Sequence, residues 1–599
     1  MKTDATFLGS VRRVVGAKIL VELSREIPSA NPIINGKVYR LGQVGSFVKI
    51  PLGLLNVYGV VSMVGASELI INRDREIIEA NQPSGQRWIE IQLVGESYGR
   101  SIFQRGITTF PTIDDEVHIV TEEEFSIIYG SLSPTMIEVG TYAASESLPA
   151  MVDIDKVITR HAAIVGSTGS GKSNAVAGLL RSIADTSFPN ASVLVIDPHG
   201  EYSSALPGKA RVFSIGNTEN PLIIPYWALS FDELAWFLVD RRSASETMQD
   251  TILRDRITSL KKISCSKLKA GEVKEDEITA DSPVPFNLKE IWFNLYLNEH
   301  ATLRRKDDWD SIAYKKDNSG NEIKGDKEKM IPPQFEPPGP GSSPPFKSTR
   351  VTGLASYLNK ILGRFKDGRF DFLINPGEYD GCKSDLHDLL ASWVDHEHSI
   401  TVIDLGGVPP EVIDLVVGVV TRILFESMFW GSDLSGTGKQ RPLLIIYEEA
   451  HSYLPRGSNG QFIAGYSGRA VRRIFKEGRK YGVGAVVVSQ RPSELDETIL
   501  SQCGTYFALR LSNSEDQGII RAIVPDSLGG LIDLLPALRT GEALVLGEAV
   551  QIPSRIRFPL VEPRPKSDDP EPSKRWREKR TANPPYGKAI TYWRIQQKY

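Results

Sequence analysis

At 599 residues the chain exceeds one ordinary domain and predicts two or three, with length enough for a large buried core. Its 70 Lys and Arg against 74 Asp and Glu leave a net charge of -4, which excludes a wholesale nucleic-acid-coating protein and confines any anion-binding surface to local patches. Three cysteines, Cys265, Cys382 and Cys503, odd in number and far apart, point to neither a disulfide framework nor a zinc knuckle and fit a reducing cytoplasm.

The start, Met1-Lys2-Thr3-Asp4, leads into a patterned segment rather than an apolar signal core, so a cytoplasmic location is expected. Residues 1–145 alternate short β-rich runs with turns, among them Lys18 to Leu23, Ser46 to Ile50, Trp88 to Leu93 and Glu116 to Val120. Such spacing predicts a small β-barrel. It carries no catalytic constellation and reads as a docking element placed before a larger core.

Residues 146–230 and 395–562 change to apolar strands alternating with helices, the pattern of an α/β domain built on a mainly parallel sheet. The expected strands are 161–165, 192–196, 399–403, 443–447, 484–488, 506–509 and 543–546. Residues 231–394 interrupt this core as a helical insertion, opening on a capping box at Ser230-Phe231-Asp232-Glu233. Within it, the charge-dense 303–328 and proline-rich 332–346 predict an extended or mobile loop. The apolar stretch Val412 to Trp430 carries Asp414, Arg422 and Glu426, so it predicts a buried amphipathic helix and no membrane span. The tail 563–599 is rich in Pro and charge yet holds Tyr592, Trp593 and Tyr599; packing on a neighbouring subunit and a disordered tail both fit.

The stretch Gly166-Ser167-Thr168-Gly169-Ser170-Gly171-Lys172-Ser173 has the spacing of a P-loop, preceded by a strand and followed by a helix from Asn174. Its glycines let N–H groups turn around phosphate oxygens, Lys172 brings a point charge to the β- and γ-phosphates, and the Ser173 hydroxyl can ligate Mg²⁺. The strand 443–447 ends in Glu448-Glu449-Ala450-His451, the Walker B position. Glu448 is assigned to Mg²⁺ and Glu449 to the attacking water. Glu448 stands where Asp is commoner. Gln490, at the end of 484–488, either senses the γ-phosphate or lies on an ordinary strand exit. Asp197-Pro198-His199-Gly200-Glu201-Tyr202 ends a fourth strand, and carboxyl ends of parallel strands meet at the ligand crevice. The glycine run Leu434 to Gln440 lacks both a preceding strand and a hydroxyl residue after Lys439, so it reads as a polar turn.

Together with Glu477-Gly478-Arg479-Lys480-Tyr481-Gly482 and Ser489-Gln490-Arg491-Pro492-Ser493, these motifs resemble the HerA family of the HerA/FtsK translocases over nearly the whole chain. The resemblance implies a RecA-like core, a leading HAS barrel and a C-terminal brace. It also implies a homohexameric ring that hydrolyses ATP with Mg²⁺ at subunit interfaces and moves double-stranded DNA through its pore. A trans arginine is then needed. Arg479 is the first candidate and Arg473 the second, with a surface role open for both. Arg160 resembles a family arginine near the nucleotide, with a surface role open for it too, and Ile552 and Pro553 are expected on the adenine side by analogy. The glycine-rich stretch Arg456 to Tyr466 is either a pore loop or a surface loop.

Family members work with a nuclease in DNA repair or with a separate effector in antiviral defence. This chain has no nuclease or NAD-cleaving constellation, so a partner docked on the barrel would supply that chemistry. The alternatives are a nucleotide-controlled assembly hub that activates an effector with little translocation, and a conjugation-type DNA pump.

Overall fold

The computed structural model describes residues 6–24, 33–34, 37–38, 44–66, 87–99, 103–121, 124–125, 128, 133–143, 145–186, 188–240, 247–269, 273–456, 465–523, 529–566, 572–579 and 584–595. The expected barrel is present. Strands Lys18–Leu23, Phe7–Val15, Glu116–Ile119, Phe47–Leu52, Leu55–Ala66 and Arg87–Tyr98 pair in that order, and Lys18–Leu23 pairs with Arg87–Tyr98 to close the ring. Alternation drives the closure: Ile19 and Val21, like Ile89 and Ile91, point inward and are buried with Val11, Ile50, Val57 and Val117. The interior is filled by these side chains.

The barrel's last strand ends at Ile119, so the expected boundary at 145 is corrected. Met136–Tyr142 and Ser145–Asp153 belong to the large sheet, because Met136–Tyr142 pairs with Ser554–Arg557 near the other end of the core. A pairing so remote in sequence leaves no local pattern.

The large sheet has eleven strands: Ser145–Asp153, Met136–Tyr142, Ser554–Arg557, Glu542–Gly547, Thr505–Leu509, Ala162–Val165, Val483–Ser489, Leu443–Tyr447, Ser192–Asp197, Ile400–Asp404 and Ala210–Ser214. The run from Thr505–Leu509 to Ala210–Ser214 is parallel, and the other four strands extend it antiparallel. Its central strands are buried at every position, as expected where helices cover both faces. In register, Val165 lies opposite Ser489 and Ala508, and Ile196 opposite Tyr447. The ends of five strands therefore open on one edge of the sheet.

The long helix Pro410–Trp430 is buried all round from Leu415 to Thr421, and no described helix is long and apolar enough to cross a membrane. Its Arg422 grips Glu233 of Phe231–Val239, the first helix of the insertion, through Nε at 2.9 Å and Nη2 at 2.7 Å. The capping box at Ser230 and Glu233 forms as read. Helices Met248–Ser264, Leu288–His300, Ala355–Lys366 and Leu386–Val394 follow.

The segment 303–346 departs from expectation. It is folded on itself: Thr302–Leu303 pairs with Phe346–Lys347, Lys315 N donates to Gln334 O at 2.8 Å, and Glu336 N donates to Ala313 O at 2.9 Å. Tyr314 stacks on Phe335 and Arg350 lies over Trp309. The prolines fall between these bonds, where no N–H is required.

Barrel and core meet closely. Arg105 Nη1 donates to Gly547 O at 3.0 Å, and a Cβ on Gly530 would lie 1.9 Å from Ser62 O. In the tail, helix Tyr586–Ile595 buries none of its residues and Trp593 is exposed; Tyr599 lies outside the described residues.

Candidate nucleotide site

The loop after Ala162–Val165 is fastened from both sides. Gly166 N donates to Ser489 O at 3.2 Å, while Ser167 donates to Arg510 O through its N at 2.8 Å and its Oγ at 2.9 Å. Gly541 N donates to Ser170 O at 2.8 Å. Gly169 and Gly171 have φ of 71° and 96°, the left-handed region that glycine enters without strain, and a Cβ on Gly171 would stand 2.9 Å from Gly541 N. The helix Lys172–Asp185 begins with no side-chain cap, which leaves first-turn N–H groups for an anion.

Behind the loop, charge is crowded. Lys172 is buried, which pulls its ammonium below the ordinary lysine range; Glu449, Glu448 and Glu201 oppose that shift. Glu448 is 1% exposed, and burial together with Glu449 raises its carboxyl well above the usual range against the pull of Lys172. Glu449 sits at φ 46°, a left-handed conformation costly for a side-chain-bearing residue and recurrent at functional sites.

Gln490 joins these parts. Its Nε2 donates to Glu449 Oε1, and its Oε1 accepts from Thr168 Oγ1 at 2.5 Å. His451 Nδ1 lies 3.2 Å from Glu449 Oε2, outside hydrogen-bond alignment, and 3.4 Å from Ser489 Oγ. Asp197 has a supporting role. It is fully buried, accepts from the N–H groups of His199, Gly200 and Tyr202, and so shapes the turn that brings Glu201 and Tyr202 beside Glu448. Burial pushes its carboxyl up to about 6.

Three carboxylate oxygens, Glu448 Oε2, Glu449 Oε2 and Glu201 Oε2, are buried and accept no hydrogen bond. Buried acceptors without donors are costly, and a hydrated divalent cation held by Glu448 and the Ser173 hydroxyl would supply what they lack. Among the described residues no group of three or more His, Cys, Asp or Glu could hold a metal, so an ion bound here would need further oxygens, such as those of a nucleotide's phosphates. The donor set fits a Mg²⁺-nucleotide. A cavity of about 350 Å³ lined by Trp227, Phe286, Lys267 and Lys289 lies in the insertion and shares no residue with the loop.

The structure brings Lys172, Ser173, Glu448, Glu449 and Gln490 to one edge. It does not bring the other expected residues there. Asn174 sits in the helix's first turn, but its carboxamide is engaged by Pro559 O and Val561 N, at 2.8 and 2.9 Å. Arg160 precedes the amino end of Ala162–Val165, roughly 13 Å of strand away from the loop, and its Nε lies 3.4 Å from Glu548. Arg479, exposed in the turn Gly478–Tyr481, precedes the adjacent strand Val483–Ser489 and lies on the same far edge. Arg473 is paired with Glu426 and covers Phe425 at 4.5 Å.

Ile552 and Pro553 are corrected: both are buried in the core, Ile552 at 0% exposure, and offer no surface to a base. The stretch 457–464 lies outside the described residues. The sequence reading missed Arg510 and Thr540, which both donate to Gly169 O, at 3.4 and 3.2 Å. No local motif marks either residue.

A family model described as helicase HerA, central domain, matches residues 137–424. Over that stretch the chain is similar to the HerA family. The DNA double-strand break repair helicase HerA of Sulfurisphaera tokodaii is 28% identical over 469 residues, covering 78% of this chain and 77% of that protein. The protein of the same name from Pyrococcus furiosus is 24% identical over 466 residues, covering 74% and 72%. Among solved structures, VirB4 of Thermoanaerobacter pseudethanolicus is 14% identical with a TM-score of 0.42, covering 71% of this chain and 97% of that chain. The chain has the fold of a P-loop ATPase, and it carries its glycine loop, the buried pair Glu448 and Glu449, and Gln490 on one sheet edge.

Proposed function

We propose that this chain is an ATP-dependent double-stranded DNA translocase or helicase that works as a homohexameric ring. The observation that carries the reading is the division of charge. On the loop's edge, Lys172 faces Glu448, Glu449 and Glu201, while Arg160 and Arg479 lie on the far edge of the same strands. Neither arginine reaches its own loop, Arg160 lying across the strand Ala162–Val165, roughly 13 Å long, and Arg479 across the seven-residue strand Val483–Ser489, roughly 20 Å long. A neighbouring copy is the geometry that uses them, and a ring repeats it.

In this reading Lys172 and the loop N–H groups bind the phosphates, and Ser173 with Glu448 holds Mg²⁺. The ion's charge favours build-up of negative charge on the transferred phosphoryl group. Glu449 takes the proton of the attacking water, and Gln490, released from Thr168, positions that water or the γ-phosphate. Arg479 of one subunit completes the site of the next. Duplex DNA as the substrate rests on kinship with helicases named for double-strand break repair. A nuclease or antiviral effector docks on the barrel, whose packed interior leaves it an outer surface for partners.

The test is ATP turnover with and without linear duplex DNA. Stimulation by duplex supports translocation. Turnover indifferent to DNA, with an effector still activated by the Glu449→Gln protein, would identify an assembly hub instead.

A further inference from the structure

Arg510 follows the strand Thr505–Leu509, which flanks the phosphate-loop strand on the side opposite Val483–Ser489 and Gln490. Its main chain already supports the loop, since its carbonyl accepts from both the N–H and the hydroxyl of Ser167. Its side chain lies over the loop's tip, with Nη2 3.4 Å from Gly169 O. Thr540 Oγ1 reaches the same carbonyl from the turn before Glu542–Gly547.

Arg472, Arg491 and Arg555 each pair with a carboxylate, Asp496, Glu494 and Glu542 respectively. Arg510 pairs with none among the described residues, and one long bond to a neutral carbonyl leaves most of its five donors unused. Arginine keeps its charge at any working pH and its planar fork matches phosphate oxygens. An unpaired arginine held against a phosphate-binding loop by its own main chain is pre-placed for an anion.

We propose that Arg510 is a phosphate-binding residue of its own subunit's nucleotide site, gripping the phosphate chain from the side of the loop opposite Gln490, with Thr540 closing the same wall. The inference rests on ATP being the ligand of this loop. It gives each subunit two cations of its own, Lys172 behind the phosphates and Arg510 outside them. A subunit then binds ATP before its neighbour arrives, and the neighbour's Arg479 serves hydrolysis rather than capture. Binding and turnover thereby separate onto cis and trans arginines.

The experiment is a fluorescence titration of the full-length wild type, Arg510→Ala, Arg510→Lys and Arg479→Ala with labelled ATPγS, ADP and AMP, alongside thermal melting of each nucleotide-free protein. A charge-assisted contact predicts that Arg510→Ala weakens ATPγS and ADP by about tenfold or more. AMP should weaken less, Arg510→Lys should recover part of the loss, and the nucleotide-free melting point should stay put. Arg479→Ala should bind ATPγS like the wild type. Wild-type affinity in Arg510→Ala would overturn the inference. So would an equal loss for all three nucleotides with a lowered melting point, which would make Arg510 a support of the loop alone. Wild-type protein that bound no ATPγS would overturn the ATP reading and this inference with it.

Discussion

The carboxamide of Gln490 donates to Glu449 while its oxygen accepts from Thr168, so the residue read as the catalytic base and the tip of the phosphate loop share one side chain. A γ-phosphate and its attacking water must enter between these groups. On the proposed function the Thr168 to Gln490 contact opens when nucleotide binds, and Gln490 passes from holding the loop to holding the reacting group. Gln490→Ala should lower kcat by about 10²-fold while changing KM only a few-fold, because the lost contact is made chiefly in the transition state. Steady-state ATP turnover over a substrate range checks it.

Glu449→Gln keeps the size and hydrogen-bonding reach of the side chain and removes its basicity. It should lower kcat by about 10³-fold and leave ATPγS affinity near wild type. Single-turnover hydrolysis beside equilibrium binding separates the two effects.

The insertion is anchored by an ion pair whose carboxylate, Glu233, is buried. Glu233 keeps one further donor, Ser230 N at 2.8 Å, when Arg422 is removed, but a side chain only 6% exposed then loses its ion-pair partner. Arg422→Ala should cost about 3 kcal/mol or more, whereas Arg422→Met with Glu233→Met should recover most of it. Urea unfolding of the three proteins measures both numbers.

His161 is buried against Phe475, accepts from Ala485 N through Nδ1, and is held neutral, its pKa lowered by burial to about 4. A depressed imidazole contributes stability that is complete above the unfolded value near 6.5 and is lost as pH falls from there toward 4, where only the unfolded chain takes up the proton readily. Between pH 7 and pH 4 the wild type should lose about 3 kcal/mol more than His161→Asn. Denaturant titrations at the two pH values give the difference.

The parts of this site that were readable in the sequence are those written in consecutive residues. The glycine spacing from Gly166 to Ser173, the apolar run before Glu448 and the strand before Gln490 each announce an element and its end. The parts that were not readable depend on contacts between remote positions. Ala210–Ser214 is an edge strand with only Phe213 buried, too weak a pattern to stand out, and Met136–Tyr142 joins the large sheet only through Ser554–Arg557. Ile552 looks like any residue beside a strand until its burial is seen. Arg510 gains meaning only because Gly169, 341 positions earlier, lies beneath its guanidinium.

The central claim is a site shared between copies, with Glu449 from one subunit and Arg479 from the next. Mixing Glu449→Gln protein with Arg479→Ala protein tests it most directly. Each alone should be nearly inactive, yet random assortment makes about one quarter of the interfaces in a mixed ring complete, so ATP turnover should rise on mixing. Two variants that co-assemble, as native mass measurement would show, yet recover no turnover at any ratio would contradict a composite site.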